Sequence, residues 1–354
     1  MFTEVQTYSF RNLADALVNT KASEVCLVGK NGQGKSNFLE AVYFLSYATS
    51  FRTTKDVEMI QNGHSSCSVI ASTDTMELSS LRVCIQDNTK AIYHDDKRIT
   101  DRKALLDIVP VILFSHEDME IIHGPPEKRR WFFDQAASLG NPLYIDRLRS
   151  YKKILKTRNS VIKDRNTDLL DALDIQFVYA GLALMEERNR LLDGFSQSFG
   201  KLFGQISDID GIQLVYRSSW KFDDFDKTLN LLKEKRENDY FMQTSTSGPH
   251  RDRWLFIQAG RDFVPRASTG QRRLLALLLR ISQANWYTQN MGKKPIYLLD
   301  DVLLELDGDR KKRFFTLLPE YEQAFFTFLP EEHLLSVQSD SALIYTVEEG
   351  TLYA

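Results

Sequence analysis

The stretch Gly29-Lys30-Asn31-Gly32-Gln33-Gly34-Lys35-Ser36 has the spacing G-x-x-x-x-G-K-[ST]. Glycines at 29, 32 and 34 let the backbone approach an anion closely and take conformations that a side chain forbids. The main-chain N–H groups of such a loop wrap the phosphates of a nucleotide, and the start of the following helix adds its dipole. Lys35 is then placed to reach the β- and γ-phosphates, and Ser36, followed by Asn37, to ligate Mg²⁺. The alternative is a glycine-rich turn with no ligand.

Two further centres lie far along the chain. At Asp300-Asp301, paired carboxylates follow the apolar run Ile296-Tyr297-Leu298-Leu299, at the end of a strand where ligands of open α/β sheets collect. Asp300 suits the Mg²⁺ shell and Asp301 suits polarising an attacking water, unless the pair merely caps a loop. In Ser268-Thr269-Gly270-Gln271-Arg272-Arg273, a serine opens a helix and a glycine permits close backbone approach. Gln271 and Arg273 leave the first turn as polar groups, making a second anion-binding helix end or an ordinary cap. Two such helix ends in one chain predict that one serves a nucleotide held mainly by another copy, hence an ATP-bound homodimer.

Elements must position these groups. Val25-Cys26-Leu27-Val28 reads as a buried strand entering the loop, and Asn37 to Leu45 as an amphipathic helix leaving it. Residues 130–240 carry long helical periodicity between motif-bearing strands. The expected organisation is therefore a discontinuous head, 1–130 plus 241–354, with a helical arm at 131–240. On one arm helix Arg149, Lys152, Lys153 and Lys156 fall on one face, with Leu148, Tyr151, Leu155 and Ile162 on the other. From Arg147 to Arg165 the acidic Asp164 stands alone among basic residues, a pattern that fits either DNA phosphates or a solvated face.

Composition bounds these readings. With 354 residues, 43 % hydrophobic and 26 % charged, the chain has enough apolar material for about two domains. A net charge of −3 excludes a globally cationic nucleic-acid binder and leaves only local basic patches for that purpose. The 3 cysteines and 6 histidines show no C-x-x-C or zinc-ligand spacing, so any metal is expected to be Mg²⁺ arriving with nucleotide. No apolar run approaches the ~18 residues of a membrane span and no signal peptide is evident, so the expected location is cytoplasmic.

In combination, the phosphate loop, the S-x-G-Q block and the late Asp-Asp strand resemble the ABC-type ATPase heads of the SMC and RecF group, and within it the RecF family. Similar blocks are Ser50-Phe51-Arg52, Phe114-Ser115-His116-Glu117-Asp118, Gly124 to Asp134, Gly248-Pro249-His250-Arg251-Asp252, and Asp300-Asp301-Val302 leading to Glu305-Leu306-Asp307. The resemblance implies an α/β fold: a P-loop NTPase head with mixed sheets around a central phosphate-loop helix and an inserted, mainly α-helical arm. It implies that Arg52 reaches the phosphate region, that Glu117 lies in the loop replacing the ABC glutamine loop, and that Asp307 crosses to the partner subunit. Thr327 would sense the γ-phosphate. The implied protein is an ATP-switched dimer of recombinational repair, replication restart and the SOS response. It would bind duplex DNA beside single-stranded gaps, promote RecA loading with RecO and RecR, and release through slow ATP hydrolysis. A non-hydrolysing scaffold, or another SMC-like ATPase of DNA maintenance, is the alternative. Departures from the family pattern are His116 for proline, Arg253 for a second aspartate, and Phe328 and Leu329 after the closing strand.

Overall fold

The computed structural model describes residues 1–75, 78–207, 209–221, 223–302, 306–331 and 342–354. The first segment runs β1 (Phe2–Tyr8), β2 (Ala16–Asn19), β3 (Glu24–Val28), α1 (Lys35–Tyr47), β4 (Ser66–Thr75), β5 (Leu78–Gln86), β6 (Thr89–His94), β7 (Lys97–Ile99), α2 (Lys103–Ile108) and β8 (Val111–Ser115). The middle runs α3 (Met119–His123), α4 (Pro126–Gly140), α5 (Pro142–Asp164), α6 (Thr167–Ile206), β9 (Gln213–Arg217), α7 (Phe225–Glu234), α8 (Arg236–Met242), β10 (Arg253–Gln258), β11 (Arg261–Asp262) and α9 (Thr269–Met291). Then follow β12 (Ile296–Asp300), α10 (Gly308–Leu317), β13 (Gln323–Phe328), β14 (Leu343–Glu348) and β15 (Thr351–Tyr353). Among the described residues no helix is long and apolar enough to cross a membrane.

The chain divides into two compact units, Met1–His116 with Gly292–Ala354, and Glu117–Met291. These limits differ from the 1–130, 131–240 and 241–354 expected from the sequence. The physical reason is that α3, α4 and α9 pack with one another and α4 and α9 pack on α6, so the helical unit keeps segments on both sides of the arm.

In the first unit, β15-β14-β3-β13-β12-β8 form one sheet, parallel except for the β14–β15 hairpin. Its inner strands β3, β13 and β12 are apolar almost throughout, as strands covered on both faces must be. A second, antiparallel sheet has the order β2-β1-β4-β5-β6-β7. Helix α1 shares one core with both sheets, burying Phe38, Leu39, Ala41, Val42, Phe44 and Leu45 among residues that include Val69, Val83, Leu113, Leu298 and Phe325. The amphipathic helix expected at Asn37 to Leu45 is thus corrected: even Glu40 and Ser46 are buried, because the helix is enclosed between sheets and shows no wet face there. The buried amide of Gln323 joins the sheets, accepting from the Phe2 N–H at 2.9 Å and donating to the carbonyls of Phe2 and Thr20 at 3.0 and 2.6 Å.

The second unit is built on α6, against which α4, α5, α9 and β9 pack, with the antiparallel sheet β11-β10-β9 beside them. Phe133 stacks on Trp254 at 3.8 Å between ring centroids. Two arginines are buried in its interior. Arg188 meets Asp134 at 2.8 Å, Asp252 at 2.9 Å and the Pro249 carbonyl at 2.7 Å. Arg158 meets Asp174, Asp239 and the Ser245 hydroxyl, each at 2.7 Å. Removing one partner from such a pair leaves an uncompensated charge and costs about 3–5 kcal/mol.

Candidate nucleotide-binding site

The fully buried strand β3 delivers the chain to the loop, and α1 starts at Lys35 inside it. Gly32 and Gly34 have φ of 81° and 116°, conformations open to glycine. A Cβ on Gly29 would lie 2.5 Å from the Val347 carbonyl oxygen. The loop is therefore held against the β14–β15 hairpin by close backbone approach. Two hydrogen bonds complete the contact: the Glu349 N–H donates to Gln33 Oε1 at 2.7 Å and the Gly350 N–H to the Gln33 carbonyl at 2.8 Å. Lys30, Asn31 and Gly32 form the exposed rim.

Lys35 is buried, with its ammonium donating to the carbonyls of Gly29 at 2.7 Å and Lys30 at 3.1 Å. An ammonium has three donors, so one is left for an anion. The Ser36 hydroxyl donates to Asp300 Oδ1 at 2.7 Å, which brings the loop and the end of β12 together. Burial pushes the Asp300 carboxyl above the usual aspartate range; the Ser36 and Thr327 hydroxyls oppose this and the charge of Asp301 adds to it. A bound cation would reverse that direction.

Thr327, at the end of β13, is buried and its hydroxyl is occupied. It accepts the Asp301 N–H at 2.8 Å and lies 3.0 and 3.2 Å from the Oδ1 atoms of Asp301 and Asp300. It therefore grips the carboxylate pair, and Asp301 sits in the left-handed region at φ 54°. Arg52 donates to Asn37 Oδ1 at 2.5 Å and stands 3.6 Å from the carboxylate of Glu40. Asn37 donates in turn to Asn12 at 2.6 Å, so Arg52 is linked to the start of α1. Glu40 was missed in the sequence. It is fully buried, held by Arg11 at 2.6 and 2.9 Å and by the Ser50 hydroxyl, and its signal was a lone charge in an apolar helix. The hairpin contact gave no side-chain signal beyond the Glu349-Gly350 turn.

Other expected site residues lie in different settings. In the second unit, Glu117 is exposed, while the neighbouring Asp118 is buried against Arg280 at 2.6 Å. Ser268 and Gln271 form a reciprocal cap on α9: the Ser268 N–H donates to Gln271 Oε1 at 2.8 Å and the Gln271 N–H to Ser268 Oγ at 3.2 Å. Gly270 beside them is exposed with open space where a Cβ would stand, and Arg273 is half-buried. Asp307, in the first unit, caps α10 by accepting the Arg310 N–H at 2.9 Å. Glu305 lies outside the described residues.

Arg149, Lys152, Lys153 and Lys156 are exposed along α5, while Tyr151, Val161 and Ile162 are buried. Lys152, Lys156 and Lys163 line a depression of about 450 Å³ with Leu155, Asn159 and Ser160. The surrounding basic run is less cationic than its composition, because Arg158 is buried in ion pairs and Arg147 is paired with Glu187. In the Gly248–Asp252 block, His250 faces the core: its Nδ1 meets the Tyr151 hydroxyl at 2.7 Å and its Nε2 the Ser245 carbonyl at 3.0 Å. A carbonyl only accepts, so the proton sits on Nε2. Burial lowers the imidazole pKa to about 4.

The chain matches the family model described as RecF/RecN/SMC N terminal domain over residues 1–352. It belongs to that family. It is 39 % identical over 352 residues to the DNA replication and repair protein RecF of Treponema pallidum (strain Nichols), covering 98 % of this chain and 99 % of the relative. Against the RecF of Streptococcus pyogenes serotype M1 it is 32 % identical over 366 residues, covering 99 % and 97 %. The solved structure of the recombination mediator protein RecF with ATP, in the RecFOR pathway, superposes with a TM-score of 0.89 at 28 % identity, covering 99 % of this chain and 96 % of that one. An SMC head bound to the C-terminal winged-helix domain of ScpA shares the fold, with a TM-score of 0.56 at 16 % identity over 99 % of this chain and 96 % of that one. The chain is thus a RecF-type member of the group, and its ABC-type head surrounds the phosphate-loop helix as the motifs led one to expect.

Proposed function

We propose that this RecF-type chain is an ATP-dependent DNA-binding protein of recombinational repair and replication restart, with weak ATPase activity. The observation that carries the reading is the 2.7 Å bond from Ser36 to Asp300 beside the buried ammonium of Lys35. The residues fit a Mg²⁺ nucleotide. Gly29 has no room for a side chain, Gly32 and Gly34 take positive φ, Lys35 retains a donor for an anion, and a hydroxyl with a carboxylate is a donor set for a hard cation. Lys35 and the loop N–H groups hold the phosphates, Ser36 and Asp300 hold the ion, and Arg52 and Asn37 lie around the nucleotide. The ion, when bound, neutralises phosphate charge. Asp301 orients and polarises the attacking water, with Thr327 fixing its backbone and carboxylate.

The exposed capped start of α9 supports closure by a second copy, whose Ser268, Gly270, Gln271 and Arg273 complete the site with Asp307 at the crossing. ATP binding then makes the homodimer that grips duplex DNA at a gap through Arg149, Lys152, Lys153 and Lys156. RecO- and RecR-like proteins act with it in the cytoplasm to load RecA, and hydrolysis releases the complex. The scaffold alternative draws on Thr327, whose hydroxyl is engaged by Asp301 and Asp300 and so is not free to sense a γ-phosphate. Mass in solution with ATP, ADP and no nucleotide tests the switch: a dimer with ATP alone is expected, and one unchanging mass refutes it. ATP hydrolysis with and without gapped DNA, beside Asp301→Asn, separates enzyme from scaffold; equal background rates in all samples favour the scaffold.

A further inference from the structure

Strand β10 pairs with β9 in a register that sets Arg253 directly opposite Arg217. Directly opposed side chains leave the same face of a sheet with Cβ atoms about 4.5–5.5 Å apart, and like charges so placed are destabilising. Both arginines are exposed, and among the described residues neither has an ion-pair or hydrogen-bond partner. The adjoining acid, Asp252, is already engaged: it is buried and accepts from Arg188, from the Tyr216 hydroxyl and from the Ser219 N–H.

Two more guanidinium groups surround the same backbone. Arg251, two residues before Arg253, is exposed and touches the Ser245 carbonyl at 3.3 and 3.4 Å. Arg130 donates to the Asp252 carbonyl at 3.0 Å and pairs with the exposed Glu127, also at 3.0 Å. Beneath them His250 is kept neutral, chiefly by burial and further by the charges of Arg251 and Arg130.

We propose that Arg217 and Arg253, with Arg251 beside them, bind the phosphodiester backbone of duplex DNA, as a contact surface separate in sequence from the α5 stripe. The inference rests on the DNA-binding reading above and adds a named surface to it. An unpaired like-charge pair on a fixed strand register costs stability unless an anion enters between the two groups. Two planar forks aimed from one face match a phosphate, which accepts bidentate guanidinium bonds. The described residues of β9 and β10 offer no exposed aromatic side chain of the kind that anchors protein interfaces. Phosphate contacts of this type hold DNA without reading its sequence.

The test uses the full chain and a labelled duplex, with binding followed by fluorescence anisotropy across salt concentrations in the presence of ATP. Each phosphate contact contributes about 0.9 to the slope of log K against log salt. The double variant Arg217→Gln/Arg253→Gln removes the one phosphate held between the two groups and is expected to flatten that slope by about 0.9 for duplexes of any sequence. Arg253→Asp is expected to weaken DNA binding while raising Tm, because the new carboxylate pairs with Arg217 across the strands. That opposite movement also shows that the variant is folded. Wild-type slope and affinity in the double variant overturn the proposal, including the case in which the arginines serve an acidic protein. Absence of DNA binding by the unmutated chain at low salt instead overturns the DNA reading on which it rests.

Discussion

Thr327→Val is the substitution that most directly tests how the hydrolytic end of the site is held. Valine keeps the shape and removes the hydroxyl. In its place the Asp301 N–H loses its 2.8 Å acceptor and the carboxylates at 3.0 and 3.2 Å lose a donor, in a position that is 3 % exposed. A buried donor left unpaired costs about 1–3 kcal/mol, and a hydrogen bond to a charged group contributes about 1.5–3. Asp301 recovers part of this by leaving φ 54°, a conformation costing a non-glycine residue about 1–2 kcal/mol. The net expectation is about 2–3 kcal/mol, or a fall in Tm of about 5–10 °C. If Asp301 orients the attacking water as proposed, its relaxation should lower ATP turnover about 10²-fold, the lower end of general-base contributions. ATP affinity should stay near that of the wild type, since Lys35 and the loop are untouched, and Thr327→Ser should restore turnover. Calorimetry, nucleotide titration and steady-state hydrolysis read the three quantities. Wild-type stability and turnover would refute the argument. A loss of ATP affinity as large as the loss of turnover would refute it too, by returning Thr327 to direct γ-phosphate contact.

Gly350→Ala places a Cβ against the Asn12 carbonyl at a backbone φ of 81°, so a loss of about 2–4 kcal/mol and weakened ATP binding are expected from a thermal melt and nucleotide titration. His250 titrates near 4 in the folded chain and near 6.5 unfolded, so its contribution is present above pH 6.5 and is lost on acidification through that window. Urea unfolding at pH 7 and pH 5 should differ by about 2 kcal/mol from this group, and His250→Gln should remove that difference. Gln271→Ala breaks the reciprocal cap on α9 and should lower stability by about 1 kcal/mol, while ATP hydrolysis falls more than ATP affinity if α9 closes on a partner's nucleotide.

What was legible in the sequence was what phosphate chemistry dictates through side-chain type and spacing. Gly29 to Ser36 and Asp300 lie far apart along the chain, yet Ser36 and Asp300 meet, because the loop leaves the end of β3 and Asp300 ends β12, two apolar parallel strands of the same sheet. The basic face of α5 was also legible from helical spacing, as Lys152, Lys153 and Lys156 are exposed. Main-chain support was not: the bonds from Glu349 and Gly350 to Gln33 depend on backbone groups that every residue carries. Charge was misleading where tertiary partners consume it. Arg158 looks like part of a cationic run but lies buried between Asp174 and Asp239, whose positions no local pattern links to it. His250 and Asp252 sit in a motif whose direction the sequence leaves open, and both serve the interior of the helical unit.

The strand that carries the phosphate loop finds both its neighbours near the other end of the chain: Val28 lies opposite Phe328 in β13 and Thr346 in β14. A ribosome adds roughly 5–20 residues per second, and long-range parallel pairings close late. During synthesis the helical unit, complete at Met291, can therefore consolidate while β3 still has two open edges. A product terminated before Leu343 would carry an intact loop motif but lack the strand and hairpin that shape it. Such a fragment should be unable to bind nucleotide, so the order of assembly itself keeps truncated chains from competing with the full-length protein for ATP.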